Sequence, residues 1–194
     1  MFLSRILLPE DGAGLWDHYS SHQMVWSWFH KGERAERDFL HRIEGNTVWT
    51  LSKHELSPRS TLRVESKRFE PRLSKGDRLQ FLTTVNPRVD KNGKKHDAVM
   101  HWMKQHDVSR DEATPNAMLQ WFERRGVQNG FSLQEFEASG YRPLYVKRGA
   151  KICSVDAQGV FTVTEPGSFL DMITKGIGGA KAFGCGLLLI RRVS

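Results

Sequence analysis

Residues 2–29 read FLSRILLPEDGAGLWDHYSSHQMVWSWF, and the change of period inside this stretch decides the fold. Phe2 to Leu8 is short, rich in branched and aromatic side chains, and closed by Pro9, which has no N–H for a sheet ladder; it predicts a buried first strand. Asp11, Gly12 and Gly14 form a turn. Beyond it Leu15, Tyr19, His22, Val25, Trp26 and Phe29 recur at three- and four-residue steps, the spacing of one helix stripe.

Working outward, Phe39 to Ile43 and Thr47 to Ser52 flank the turn-like Glu44-Gly45-Asn46, and Leu62 to Phe69 alternates apolar with charged side chains before Pro71. A second helix before the last strand would complete a βαββαβ unit. Glu55 to Ser60, short and holding Pro58, leaves room only for an abbreviated one. Lys75-Gly76-Asp77 punctuates the chain, and Arg78 to Asn86 then alternates Leu79, Phe81, Thr83 and Val85 on one side, opening a second unit. Arg88, Lys91, Lys94 and Lys95 surround Asn92-Gly93 and predict a polar loop with nothing to pack a core. Thr114-Pro115 predicts a helix start, and Ala117 to Arg125 runs through Met118, Leu119, Trp121 and Phe122 to Gly126 as its stop. Strands at Tyr141 to Arg148, Lys151 to Val155 and Val160 to Val163, a helix from Gly167 to Lys175, and a strand over Leu187 to Arg192 repeat the βαββαβ order with an added hairpin. The expected architecture is α+β, two tandem units over residues 1–74 and 75–194.

The chain has 194 residues, 39% of them hydrophobic, enough for an ordinary core. No apolar run approaches the roughly 20 residues of a bilayer-spanning helix. The first apolar stretch is broken by Arg5 and closed by Pro9 and Glu10, unlike a signal peptide, so a cytoplasmic location is expected. Lys plus Arg number 29 against 22 Asp plus Glu, a net charge of +7. That excess points to an anionic partner, nucleic acid before membrane, with a basic protein lacking a polyanion ligand left open. Cys153 and Cys185 form neither a CxxC pair nor a disulfide ladder and read as reduced, buried thiols.

His18 and His22 are four apart on the first helix, a spacing able to ligate a metal, but no HExxH motif or cysteine cluster supplies further ligands, and no metal site is expected. His22 lies in line with Leu15, Val25, Trp26 and Phe29, so spacing alone favours a hydrogen-bonded core histidine. The competing reading sets Tyr19 and His22 at a cleft edge, where an imidazole of reference pKa about 6.5 exchanges protons near neutrality. His96, His101 and His106 fall in or beside a polar segment and read as solvated. The block from Gly176 to Gly186 reads GIGGAKAFGCG and matches neither GxxxxGK[ST] nor GxGxxG. A glycine-dependent turn and a loop that lets backbone approach a ligand both remain open. Basic residues group as Arg63, Lys67 and Arg68; Arg88 to Lys95; and Arg142, Lys147, Arg148 and Lys151. Each group alone suits a solvated surface, and together they could track the phosphates of a folded RNA.

The opening Met1-Phe2-Leu3-Ser4-Arg5, the segment Tyr19-Ser20-Ser21-His22-Gln23, the strand ending Asn86-Pro87 before a Lys/Gly loop, and the terminal glycine block through Leu188 together resemble the CasE family. Between Gly93 and Asn116 the chain departs from the family pattern. The resemblance implies tandem ferredoxin-like (RRM-like) domains and a CRISPR-associated endoribonuclease that cuts the repeat transcript at the base of a stem-loop. It also implies retention on the hairpin as a subunit of the Cascade complex, and cleavage with no metal or other cofactor. By position, His22 matches the family's catalytic histidine and Tyr19 its neighbouring tyrosine, while Gly178, Gly179 and Lys181 fall in its RNA-contacting loop. Metal-free scission can use the RNA's own 2′-hydroxyl and leave a 2′,3′-cyclic phosphate, with His22 as base or acid. A non-cleaving RNA-hairpin-binding subunit, and a basic scaffold with no RNA role, are the alternatives.

Overall fold

The computed structural model describes residues 1–9, 18–29, 37–56, 62–145 and 151–193, with backbone only at 18–22, 144, 145 and 151. The first sheet is built from β1 (Phe2–Leu7), β2 (Phe39–Glu44), β3 (Thr47–Ser52) and β4 (Arg63–Arg68) in the order β2-β3-β1-β4, every pair antiparallel. Helix α1 (His18–Phe29) connects β1 to β2. It packs Val25 against Ile6, Leu8, Phe39, Val48 and Leu56, and Phe29 stacks on Phe39 at 4.7 Å between centroids. Strand order and connection are those of the ferredoxin-like unit. The abbreviated helix expected over Glu55 to Ser60 falls largely outside the described residues, while Glu55 and Leu56 are irregular.

The second sheet repeats the order. It runs β10-β5-β9-β8, with β5 (Arg78–Val85), β8 (Phe131–Tyr145), β9 (Lys151–Val163) and β10 (Leu188–Arg192) again antiparallel. Helices α3 (Arg110–Asn129) and α4 (Pro166–Lys175) supply its two crossovers. Phe81 stacks on Phe161 at 3.8 Å, and Phe122, Phe131 and Phe169 close around that pair. Leu40 of β2 and Leu51 of β3 join this second buried cluster, while the first unit keeps its own core under α1.

The structure corrects four expectations. The stretch Arg88 to Lys95 is a hairpin rather than a loop, β6 (Arg88–Lys91) with β7 (Lys94–Asp97), because Val89 packs against the core while the charged positions stay outside. It leads into α2 (Ala98–His106), whose N-cap Asp97 accepts from the N–H groups of Val99 and Met100 at 2.9 and 3.1 Å. Helix α3 begins at Arg110 rather than Thr114, since Ser109 caps it and Pro115 forfeits only one bond inside. Lys151 to Val163 is one strand, not two, paired along nearly all of a β8 that starts at Phe131.

Gly126 does not stop α3, which runs on to Asn129 and ends at Gly130 in the left-handed region with φ 71°. A Cβ at Gly126 would overlap the Phe131 carbonyl oxygen where β8 departs. Gly126→Val is therefore expected to cost about 1–3 kcal/mol of stability through overpacking, read as a lower midpoint in urea at unchanged slope.

Candidate functional site

Three pieces distant in sequence meet beside α1. The chain between α4 and β10 folds back on itself: Ile177 N–H donates to the Gly186 carbonyl at 2.9 Å, and Gly186 N–H to the Thr84 carbonyl at 2.7 Å. Gly176, Gly178, Gly184 and Gly186 all take φ between 77° and 90°, so the hairpin-like return depends on glycine. Its tip is a single 3-10 turn, Lys181–Phe183, which lies against both α1 and β2. A Cβ at Gly176 would stand 2.8 Å from Leu40, and one at Gly184 3.6 Å from His41 Nε2. The glycine block is thus pinned to β5 and seated on β2, with its turn facing the helix that carries Tyr19 and His22.

A cavity of about 340 Å³ opens where the first sheet meets the second, lined by His41, Arg42, Thr84, Arg142, Asp156 and Gly184 among others. Buried Arg42 crosses from β2 to donate to the Thr84 hydroxyl and pairs with Asp156 at 3.5 Å. Asp156 also accepts from the Thr84 hydroxyl at 2.6 Å and from Arg142 at 2.7 Å. Two guanidinium groups share the Asp156 carboxylate there, and Glu44, 3.9 Å from Arg42, also lines the cleft, which ends at Phe183. Arg42, Thr84 and Asp156 carry no local sequence signal, because their meaning lies in contacts far apart along the chain.

The other expected site residues are spread more widely. Arg63 and Lys67 pair opposite Leu7 and Leu3, on the sheet face away from α1, whereas Arg68 pairs with Phe2 on the α1 face. Arg63 lies 3.5 Å from Glu65 and Arg68 3.7 Å from Glu70, both exposed. Gly178 and Gly179 sit against Trp121 and Asn86, and Gly179 bridges to Asn86. Half-buried Lys181 donates to the Lys175 carbonyl at 2.6 Å. Burial, then Arg37 and Arg125, hold its ammonium pKa below the usual lysine value. Lys147 and Arg148 lie outside the described residues, between β8 and β9. Cys153 and Cys185 are buried and unpaired as disulfides, and burial pushes the Cys185 thiol up to about 12. Among the described residues no helix is long and apolar enough to cross a membrane.

Two ferredoxin-like units in tandem, the second closing a glycine block on the first unit's helix, define the class of protein. A family model described as CRISPR associated protein matches residues 1–192, and the chain belongs to that family. The CRISPR system Cascade subunit CasE of Escherichia coli (strain K12) is 29% identical over 202 residues, covering 97% of this chain and 98% of that protein. The CasE resemblance read from the sequence is borne out. Among solved structures, Cas6e from Escherichia coli str. K-12 superposes with a TM-score of 0.70 at 24% identity, covering 100% of both chains. Thermus Thermophilus Cse3, bound to an RNA representing a pre-cleavage complex, gives 0.76 at 23% identity over 98% of each chain. These likenesses bear out the tandem ferredoxin-like fold.

Proposed function

We propose that this chain is a metal-independent endoribonuclease that cuts CRISPR repeat transcripts at the base of the repeat stem-loop and stays on the product hairpin as a Cascade subunit. The observation that carries the reading is the seating of the Lys181–Phe183 turn against α1, the helix of Tyr19 and His22. It stands in a chain aligned end to end with a protein named as a Cascade subunit and with one solved on RNA.

In this reading the ribose 2′-oxygen attacks the adjacent phosphorus, a P–O2′ bond forms, and the P–O5′ bond breaks. The 2′-hydroxyl proton goes to a base, and the departing 5′-oxygen takes one from an acid. His22 serves at one of these two steps. Tyr19, with a reference pKa near 10, donates a hydrogen bond to the phosphate rather than taking a proton. Negative charge building on phosphorus is met by cations of the cleft and the glycine block, Arg142 and Lys181 among them. Arg63 and Lys67, which share one face of β4, and Lys147 and Arg148 track the stem's phosphates, while Gly178 and Gly179 bring backbone close to it.

Incubation of the purified chain with its labelled repeat hairpin in excess chelator tests the reading. Full-rate cleavage with a 2′,3′-cyclic phosphate on the upstream product is expected. Loss of activity on chelation, or a 3′-hydroxyl product, would sink it.

A further inference from the structure

The β6–β7 hairpin and α2 are additions that a βαββαβ unit does not need. Between them and α3 lies a cavity of about 380 Å³, lined by Lys91, His101, Trp102, His106, Gln120 and Arg124 among others, with no acidic side chain in its wall. Some exposed basic residues elsewhere on the surface have carboxylate neighbours, as in Arg78 with Glu135 and Arg192 with Asp77. Lys91 and Arg124 are exposed on the rim of this cavity, and neither has an ion-pair partner among the described residues. His101 Nε2 is buried with no hydrogen-bond partner among the described residues. Burial, then the nearby Lys91, His96 and Arg124, keep the His101 ring below the ordinary histidine pKa.

One wall of the cavity is aromatic. Trp102 and His106 stack at 4.1 Å with 19° between planes, and the ring nitrogen Nδ1 of His106 donates to the Trp102 carbonyl at 3.0 Å. His106 is exposed, so one more flat ring can extend the stack. Trp121 forms the wall toward the glycine block: its Nε1 donates to the Arg88 carbonyl at 3.1 Å, and a Cβ at Gly178 would stand 3.2 Å from its ring. On that far side a cavity of about 390 Å³ is lined by Arg125, Gly178, Lys181 and Lys175 among others, the last paired with Asp171 of the same wall at 2.7 Å. Arg125 and Lys181 on that side and Lys91 and Arg124 on this one thus flank Trp121.

We propose that the cavity between β6–β7, α2 and α3 is a second RNA subsite, taking one unpaired nucleotide of the strand that flanks the stem-loop. The phosphate lies between Lys91 and Arg124, the base stacks on His106 over Trp102, and His101 Nε2 hydrogen-bonds the base edge. A ring slotted beside His106 must come from an unpaired base, and the pocket is of single-ligand size, which excludes a duplex. The inference rests on the RNA-binding reading above.

Anisotropy titrations with the repeat hairpin, bare or carrying an unpaired flank on its 5′ or 3′ side, test it. In the wild-type protein one of the two flanks tightens binding about tenfold. The double variant Lys91→Ala/Arg124→Ala binds flanked and bare hairpins equally, with bare-hairpin affinity and cleavage rate unchanged, while Lys91→Arg keeps the flank effect. The slope of log K against log salt for the flanked RNA falls by about 0.7 for each phosphate that the variant no longer neutralises. A flank that adds nothing to wild-type binding, or a flank effect that survives the double variant, overturns the subsite. So does equal weakening of both RNAs. Adenosine monophosphate bound at Lys91 and Arg124 without any flank effect makes it a mononucleotide site and overturns it as well. Failure of the bare hairpin itself to bind wild-type protein overturns the functional reading, and this subsite with it.

Discussion

His22→Ala is expected to leave hairpin affinity close to wild type and to slow cleavage by roughly 10²- to 10⁴-fold, the usual contribution of a positioned general acid or base. Single-turnover cleavage of labelled repeat RNA, run beside a binding titration on the same preparation, measures both quantities. The split matters because a core histidine and a proton-transferring one fail differently. Losing a core ring lowers the thermal midpoint and drags affinity and rate down together, whereas losing the acid or base lowers the rate alone. Tyr19→Phe, which removes one hydrogen-bond donor, is expected to cost far less. If His22→Ala cleaves at the wild-type rate, His22 is not the proton-transferring group; wild-type protein that binds the hairpin without cutting it would instead be the non-cleaving hairpin-binding subunit.

The second large effect belongs to Asp156→Ala. Asp156 is the carboxylate that Arg42, Arg142 and the Thr84 hydroxyl share, and Arg42 is 5% exposed. Its removal strands a buried guanidinium whose remaining ionic neighbour is Glu44 at 3.9 Å, on the surface. Breaking a buried pair from one side costs about 3–5 kcal/mol, so the variant should melt well below wild type in calorimetry. Replacing Arg42 with Met in the same background removes the stranded charge and should return much of the loss. An Asp156→Ala protein as stable as wild type would show that water, rather than the carboxylate, solvates Arg42.

The first unit is legible almost residue by residue because each strand keeps period two and is bounded by Pro, Gly or Asn. Thr47 to Ser52 carries its observed bounds in the sequence, and β1, β2 and β4 lie within a residue of theirs at either end. The second unit hides its longest strand. In β8 the inward residues Phe131 and Leu133 are followed by Phe136 and Ala138, since a register shift between Leu133 and Glu135 inserts one residue into the alternation. Helix α2 does have a signal: Asp97 stands before Ala98 and Val99, and Trp102 and Met103 follow at helical spacing. Lysine density around Asn92-Gly93 conceals it.

Of the candidate site, Tyr19, His22 and the glycine block are readable, and the structure brings α1 and the block's turn together. Arg63, Lys67 and Arg68 read as one patch but divide between two faces of the first sheet, a division that strand parity in β4 already contains. The Arg42–Asp156 pair is not readable by any local rule, because it joins strands of different units, far apart along the chain.

Leu40 and Leu51 bury themselves among the phenylalanines of the other sheet. Melting the first unit would expose apolar surface of the second unit's cluster, which couples the stability of the two repeats although each keeps a core of its own.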